Sequence, residues 1–167
     1  MRPWSSRAVE EANLFNPAFC GMLLSSSVAQ FVEKASRPMP FALSFLVLPI
    51  VLHERTRQAL PRSTVTGLLP WIEEHRATLI DFAVRVERLV PISREALTFS
   101  LANGALAAER DSGGLVVGAG RRSPTERRTP LFTTDARDCL ERSAFLGRWF
   151  AAAGTTPTIF GAWGVRP

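Results

Sequence analysis

Cysteine, histidine and lysine are nearly missing from this chain, and each scarcity removes a class of chemistry. Its 167 residues hold two cysteines, Cys20 and Cys139, without CxxC spacing, and two histidines, His53 and His75, far from both in sequence. A structural zinc site needs four nitrogen or sulfur ligands at short, regular spacings, and none are present. The two thiols read as small buried hydrophobes rather than as nucleophiles. Long apolar runs are scarce too. The most apolar stretch, "PFALSFLVLPIVL" at residues 40–52, contains Pro49 and falls well short of the roughly 20 residues a membrane helix needs. It reads as a buried central helix. The opening "MRPWSSRAVEEANLFN" has no continuous apolar core, so it is not expected to be a secretory signal, and the expected location is the cytoplasm.

Active-site constellations are equally absent. Gly113, Gly114, Gly118 and Gly120 could suggest a phosphate loop, but Ala119 follows Gly118 where a Walker motif has lysine. They read as hairpin glycines. Glu73-Glu74-His75 resembles a fragment of a metal or acid–base site, yet adjacent helix positions point apart and no second histidine stands four residues away. That triplet reads as a solvated helix face. With no nucleophile–base pair, no metal-ligand set and no cofactor motif, the chain is expected not to be an enzyme.

What is present is a core and an arginine surface. The composition is 46% hydrophobic and 21% charged, enough for one domain with a real core. A net charge of +5 comes from 20 basic residues against 15 acidic ones, and every basic residue but Lys34 is arginine. Guanidinium forks make bidentate contacts to carboxylates and phosphates that lysine does not.

Periodicity predicts mostly helices. Asn16-Pro17 is a helix start, a capping residue followed by proline at the first helical position. Phe19, Met22, Leu23, Phe31 and Val32 follow near helical spacing, and "RPMP" at 37–40 stops the element. A second helix is expected over Phe41–Leu52. Thr64 or Thr66 can cap a third with Leu68, Leu69, Trp71 and Ile72. Leu79, Ile80, Phe82, Ala83, Val86 and Leu89 mark a fourth, which Pro91 is expected to end. Ser93 then opens a short helix closing near Asn103-Gly104. Residues 104–120 change period, and "RDSGG" supplies the turn of a hairpin. Next comes "RRSPTERRTP", four arginines and two prolines in ten residues, an exposed loop. A last helix is expected from a Thr134 cap, with Asp135 and Asp138 early where the helix dipole favours anions. Gly154 is expected to end it and release "TTPTIFGAWGVRP" as an extended tail. The expected fold is mainly α (α+β), a helical core over 5–103, a winged-helix-like hairpin over 104–120, a basic loop over 121–133, and the final helix and tail over 134–167.

Three surfaces stand out as binding candidates. "HERTRQALPR" at 53–62 carries Arg55, Arg57 and Arg62, which are assigned to a partner interface, and the loop carries Arg121, Arg122, Arg127 and Arg128. The loop arginines lie beside the expected wing and are assigned to the nucleic-acid backbone, where arginine contacts phosphate without reading sequence. In the tail, Trp149 shares a face with Phe145 and is assigned to the core, whereas Trp163 and Arg166 are assigned to a partner interface, being residue types enriched at hot spots.

"EEANLFNPAFCGMLL", "MPFALSFLVLPIVLHERTRQALPRST", "REAL" and "FLGRWFAAAG...WGVRP" resemble the middle component of bacterial three-component ABC systems, the Lamassu-type defence loci. The likeness runs over nearly the whole chain. It covers Asn13, Asn16, Pro17 and Phe19, then Pro40, Phe41, Pro49, His53, Arg55, Arg57 and Arg62, and last Arg148, Trp149, Phe150, Trp163, Gly164, Arg166 and Pro167. The resemblance implies a non-enzymatic adaptor that joins an SMC-like ABC ATPase to a third subunit carrying an effector, often a nuclease, against phage or plasmids. It assigns no catalytic residue and leaves the hairpin and arginine loop unmatched.

A second reading is an independent winged-helix regulator that binds DNA, supported by the charge and the hairpin. Its recognition helix, "SREALTFSLANG", offers only Arg94, Ser100 and Asn103, which is poor for reading base edges. A hydrolase is a third and weaker reading.

Overall fold

The computed structural model describes residues 14–121 and 133–166. Helix α1 spans Pro17–Ala35, and Asn16 caps it as the sequence predicts: its Oδ1 accepts from the amides of Ala18 and Phe19 at 2.8 and 3.4 Å. A 3-10 turn at Phe41–Leu43 leads into α2, Ser44–Val51. Leu46, Val47, Leu48, Ile50 and Val51 of α2 are fully shielded from solvent and Pro49 is buried among them, so the expected buried helix is observed over a shorter span. Helix α3 spans Glu54–Ala59 and α4 Leu68–Glu74, followed by a 3-10 turn at Arg76–Leu79.

Helix α5 runs from Phe82 to Ala102 without a break at Pro91, against expectation. The proline lies on the solvent side of the helix. Water can therefore take the carbonyl its missing N–H leaves unpaired, and core packing before and after it holds one continuous rod. The cap of α4 also differs: Gly67 occupies that position, and the Thr66 carbonyl instead accepts the Trp149 indole N–H at 2.7 Å.

The hairpin forms where the change of period places it. Strands β1 (Leu106–Ala108) and β2 (Leu115–Val117) pair antiparallel, with Ala107 opposite Val116. Gly113 takes φ +65° in the connection, a conformation that favours glycine. Glu109 braces the same turn: its carboxylate accepts from the Asp111 and Ser112 amides and the Ser112 hydroxyl, which holds its pKa below the usual carboxylate range. On its other edge β2 exchanges two backbone bonds with Met39, Met39 N–H to Leu115 O at 2.9 Å and Leu115 N–H to Met39 O at 2.8 Å. Leu106 and Leu115 are buried, so the hairpin is rooted in the core.

Helix α6 spans Thr134–Ala152, capped by Thr133, one residue before the expected Thr134. It packs against α1, which also meets α5, α2 and β2. Small residues make that crossing possible: a Cβ on Gly147 would lie 2.1 Å from the Ser27 carbonyl oxygen.

The segment after Gly154 is not extended. Thr156–Ala162 forms helix α7, with Thr155 as its cap and Pro157 in its first turn. Gly164 then takes φ +66°, and Val165 N–H bonds back to Phe160 O at 3.0 Å, a glycine-terminated helix end. Both start and stop signals are present in the sequence. They lose weight there because the helix is only seven residues long and has little stability of its own.

Candidate functional site

The arginine cluster at 53–62 divides. Arg57 does not face a partner: it is 3% exposed. Its Nε donates to Asp138 Oδ2 at 2.6 Å, its Nη1 to the Val51 carbonyl at 2.8 Å, and its Nη2 to Asp135 Oδ1. The fork thus ties the end of α2 and the body of α3 to the first turns of α6. Burial opposes the guanidinium charge, but the Asp138 hydrogen bond and the charges of Asp135 and Asp138 outweigh it and hold the pKa above its ordinary value. Arg142 extends the contact, with its Nη1 donating to the Pro61 carbonyl at 3.2 Å. Arg55 and Arg62 are exposed, as expected.

Trp163 also departs from expectation. It is 1% exposed, its ring centroid 4.6 Å from Phe82 and 5.7 Å from Trp71. Trp71 meets Trp149 edge-on at 5.4 Å and stacks on His75 at 4.7 Å. Trp71 donates its indole N–H to the Ala59 carbonyl at 3.1 Å, so two of the three indoles are satisfied and Trp163 Nε1 is not. Helix α7 carries Trp163 back onto α4 and α5, which an extended tail would not do. Trp149 and Phe145 are core, as their spacing predicts, and Arg166 is exposed. In the basic loop, Arg121 is exposed, while Arg122, Arg127 and Arg128 lie outside the described residues.

The thiols are buried and free. Burial pushes Cys20 up to about 12 and Cys139 up to about 11, so both are protonated at neutral pH and lack the thiolate that nucleophilic chemistry needs. No helix among the described residues is long and apolar enough to cross a membrane.

An open cleft of about 1120 Å³ lies between α3, the 3-10 turn and the start of α5, with Leu14 and Phe15 at its edge. Sequence reading missed it because Ile80 counts among the apolar positions that mark the fourth expected helix. Asp81 breaks that pattern by taking φ 55°, and Ile80 stands 68% exposed. Val84, on the same side, is 44% exposed. His53, Arg55, Arg85 and Arg88 line the cleft together with Glu74 and Asp81. Thr56 Oγ1 sits 2.7 Å from His53 Nδ1 and accepts from Arg85 Nη1 at 3.1 Å. The Arg85 guanidinium lies 5.4 Å over the Phe82 ring. Burial lowers its pKa, and the charge of Asp81 pulls the other way. Burial, then Arg85 and Arg55, lower that of His53.

The cleft combines exposed aliphatic side chains with guanidinium groups, as protein-joining surfaces do. The ABC-three component (ABC-3C) system Middle Component 3 family matches residues 4–167. The chain belongs to that family. It is thus a middle component of a three-component ABC system. No curated protein and no solved structure matches it. The strings that carry the family likeness serve the fold more than the cleft. Asn16 caps α1, Pro49 is buried in α2, Arg57 ties α3 to α6, and Trp149 and Trp163 fill the core.

Proposed function

We propose that this middle component is a non-enzymatic cytoplasmic adaptor, joining an SMC-like ABC ATPase to an effector-bearing third subunit of nuclease type in a Lamassu-type antiviral and anti-plasmid defence complex. The observation that carries this reading is the family match over residues 4–167, since a middle component works among other subunits. An exposed surface of aliphatic and guanidinium groups supports it. The test is co-expression with the products of the flanking genes. The expected result is one complex containing the ATPase, this chain and the effector. A chain that elutes alone from that mixture overturns the reading. The chain by itself is expected to show no nuclease, ATPase or hydrolase activity. DNA cleavage by the pure chain that a single substitution abolishes would contradict this.

A DNA-binding winged-helix regulator is the second reading, favoured by one observation, a rooted hairpin directly after a long helix. The helix serves it poorly. Ser100 is buried and donates to the Ala96 carbonyl, and Asn103 donates to the Phe99 carbonyl, which leaves Arg94 of the three polar residues proposed to read bases. Any DNA contact by the loop Arg121, Arg122, Arg127 and Arg128 is expected to be sequence-independent and to occur in the assembled complex. Replacing all four with alanine should then flatten the dependence of DNA affinity on salt. An unchanged slope would place the contact elsewhere.

A further inference from the structure

We propose that the cleft between α3 and the start of α5 receives a segment of a partner subunit that presents a carboxylate among aliphatic side chains. The proposal rests on the adaptor reading and adds the place and chemistry of one contact. Ile80 and Val84 hold large aliphatic surfaces in water at 68% and 44% exposure, above the half-buried Leu52 and Leu89. Exposed apolar side chains gathered on a concave surface mark an interaction site when charged groups rim them.

Arg85 specifies the charge of the occupant. Its guanidinium is half sunk into the wall, donates to one neutral hydroxyl, and has no carboxylate within 4.0 Å among the described residues. Arg57 on the opposite side of α3 has two. A guanidinium partly withdrawn from water gains most from an arriving carboxylate, because charge-assisted bonds strengthen as water leaves. Arg55 and Arg88 add positive charge on the rim, and the cleft's own Glu74 and Asp81 pair with none of the three arginines within 4.0 Å. A purely aliphatic occupant would cover Arg85 and leave it unpaired, at a desolvation cost. A nucleic acid would set phosphates against Ile80 and Val84. An acidic-aliphatic protein segment satisfies both parts of the surface.

The experiment uses the full chain co-expressed with the other subunits of its system. Ile80→Glu and Arg85→Glu are each expected to reduce the partner retained on the chain by about tenfold or more, as hot-spot changes do. Arg85→Lys should retain part of it, and Val65→Glu, at a 92% exposed position outside the cleft, all of it. Because Ile80 is exposed, its variant reports on binding even where Arg85→Glu weakens the fold, and thermal melts of each isolated variant separate the two effects. A wild-type complex that both cleft variants leave intact overturns the contact alone. A wild-type chain that binds no subunit overturns the adaptor reading and the contact with it. Two further results overturn the proposal by naming another occupant. One is a monomer–dimer equilibrium in the isolated chain that Ile80→Glu abolishes. The other is faster hydrogen exchange at 77–89 in the isolated chain once residues 1–13 are removed.

Discussion

Arg57 and Arg55 stand two positions apart on α3, the first sealed beneath α6 and the second in solvent beside the cleft. On the sealed side each nitrogen of the guanidinium has an acceptor, and the aromatic cluster of Trp71, Trp149, Trp163 and Phe82 continues the closure toward α7. On the open side Arg85 meets one hydroxyl, and Ile80 and Val84 face water. Residues of the same type, close in sequence, therefore serve different ends: the sealed face stabilises the fold, and the open face is left for another molecule. Substitutions on the sealed face should register in stability, and those on the open face in partner retention.

The largest effect is expected at Trp163. Trp163→Ala removes a fully enclosed indole and should cost about 3–5 kcal/mol, read from chemical denaturation. Deleting residues 161–167 should likewise abolish the cooperative thermal transition. A truncated chain that melts like the wild type would move Trp163 to the open face and break the comparison. Gly147→Ala comes next. The new methyl would meet the Ser27 carbonyl at 2.1 Å, with backbone on both sides, so α1 and α6 must separate, at roughly 1–3 kcal/mol.

Arg57→Ala should follow at about 2 kcal/mol. The loss stays below that of a fully buried pair because the carboxylates left behind keep water, with side-chain exposures of 70% for Asp135 and 38% for Asp138. Arg55→Ala should change stability by less than about 0.5 kcal/mol. Equal losses for the two arginines would erase the distinction between the faces.

The smallest effect is a pH dependence at His53, where the two faces meet. Its Nδ1 accepts the Thr56 amide at 3.3 Å and so caps α3, which requires the neutral ring. Its pKa is lowered in the fold, so the unfolded chain takes up the proton first. The contribution is complete above the unfolded value of about 6.5 and is lost as pH falls below it. His53→Asn keeps a capping acceptor without titrating. The drop in melting temperature between pH 7.5 and 5.5 should therefore be smaller in this variant, and an equal drop would remove His53 from the account.

Much of the local structure is legible in single residues. Asn16-Pro17 starts α1, the RDSGG turn reverses the hairpin, and the 145/149 spacing places Phe145 and Trp149 in the core. These features depend on neighbours within a few residues, where dihedral preference and capping act. The errors share the opposite origin. Pro91 has the residue-level signal of a break, but packing on both sides of it carries α5 through. The seven residues of α7 have valid start and stop signals, but gain stability only by laying Ile159, Phe160 and Trp163 on the core.

The division between the arginines is the clearest case. Composition and periodicity by themselves determined a mainly helical, arginine-rich chain, and the likeness of its motif strings determined the family. Nothing within reach of residues 53–62 distinguishes Arg57 from Arg55, since the carboxylates that claim Arg57 stand 78 and 81 residues further along. Only the tertiary structure brings α6 over one face of α3 and leaves the other uncovered. Burial and ion pairing depend on which charges meet in space, and for these groups the chain supplies the partners from distant positions.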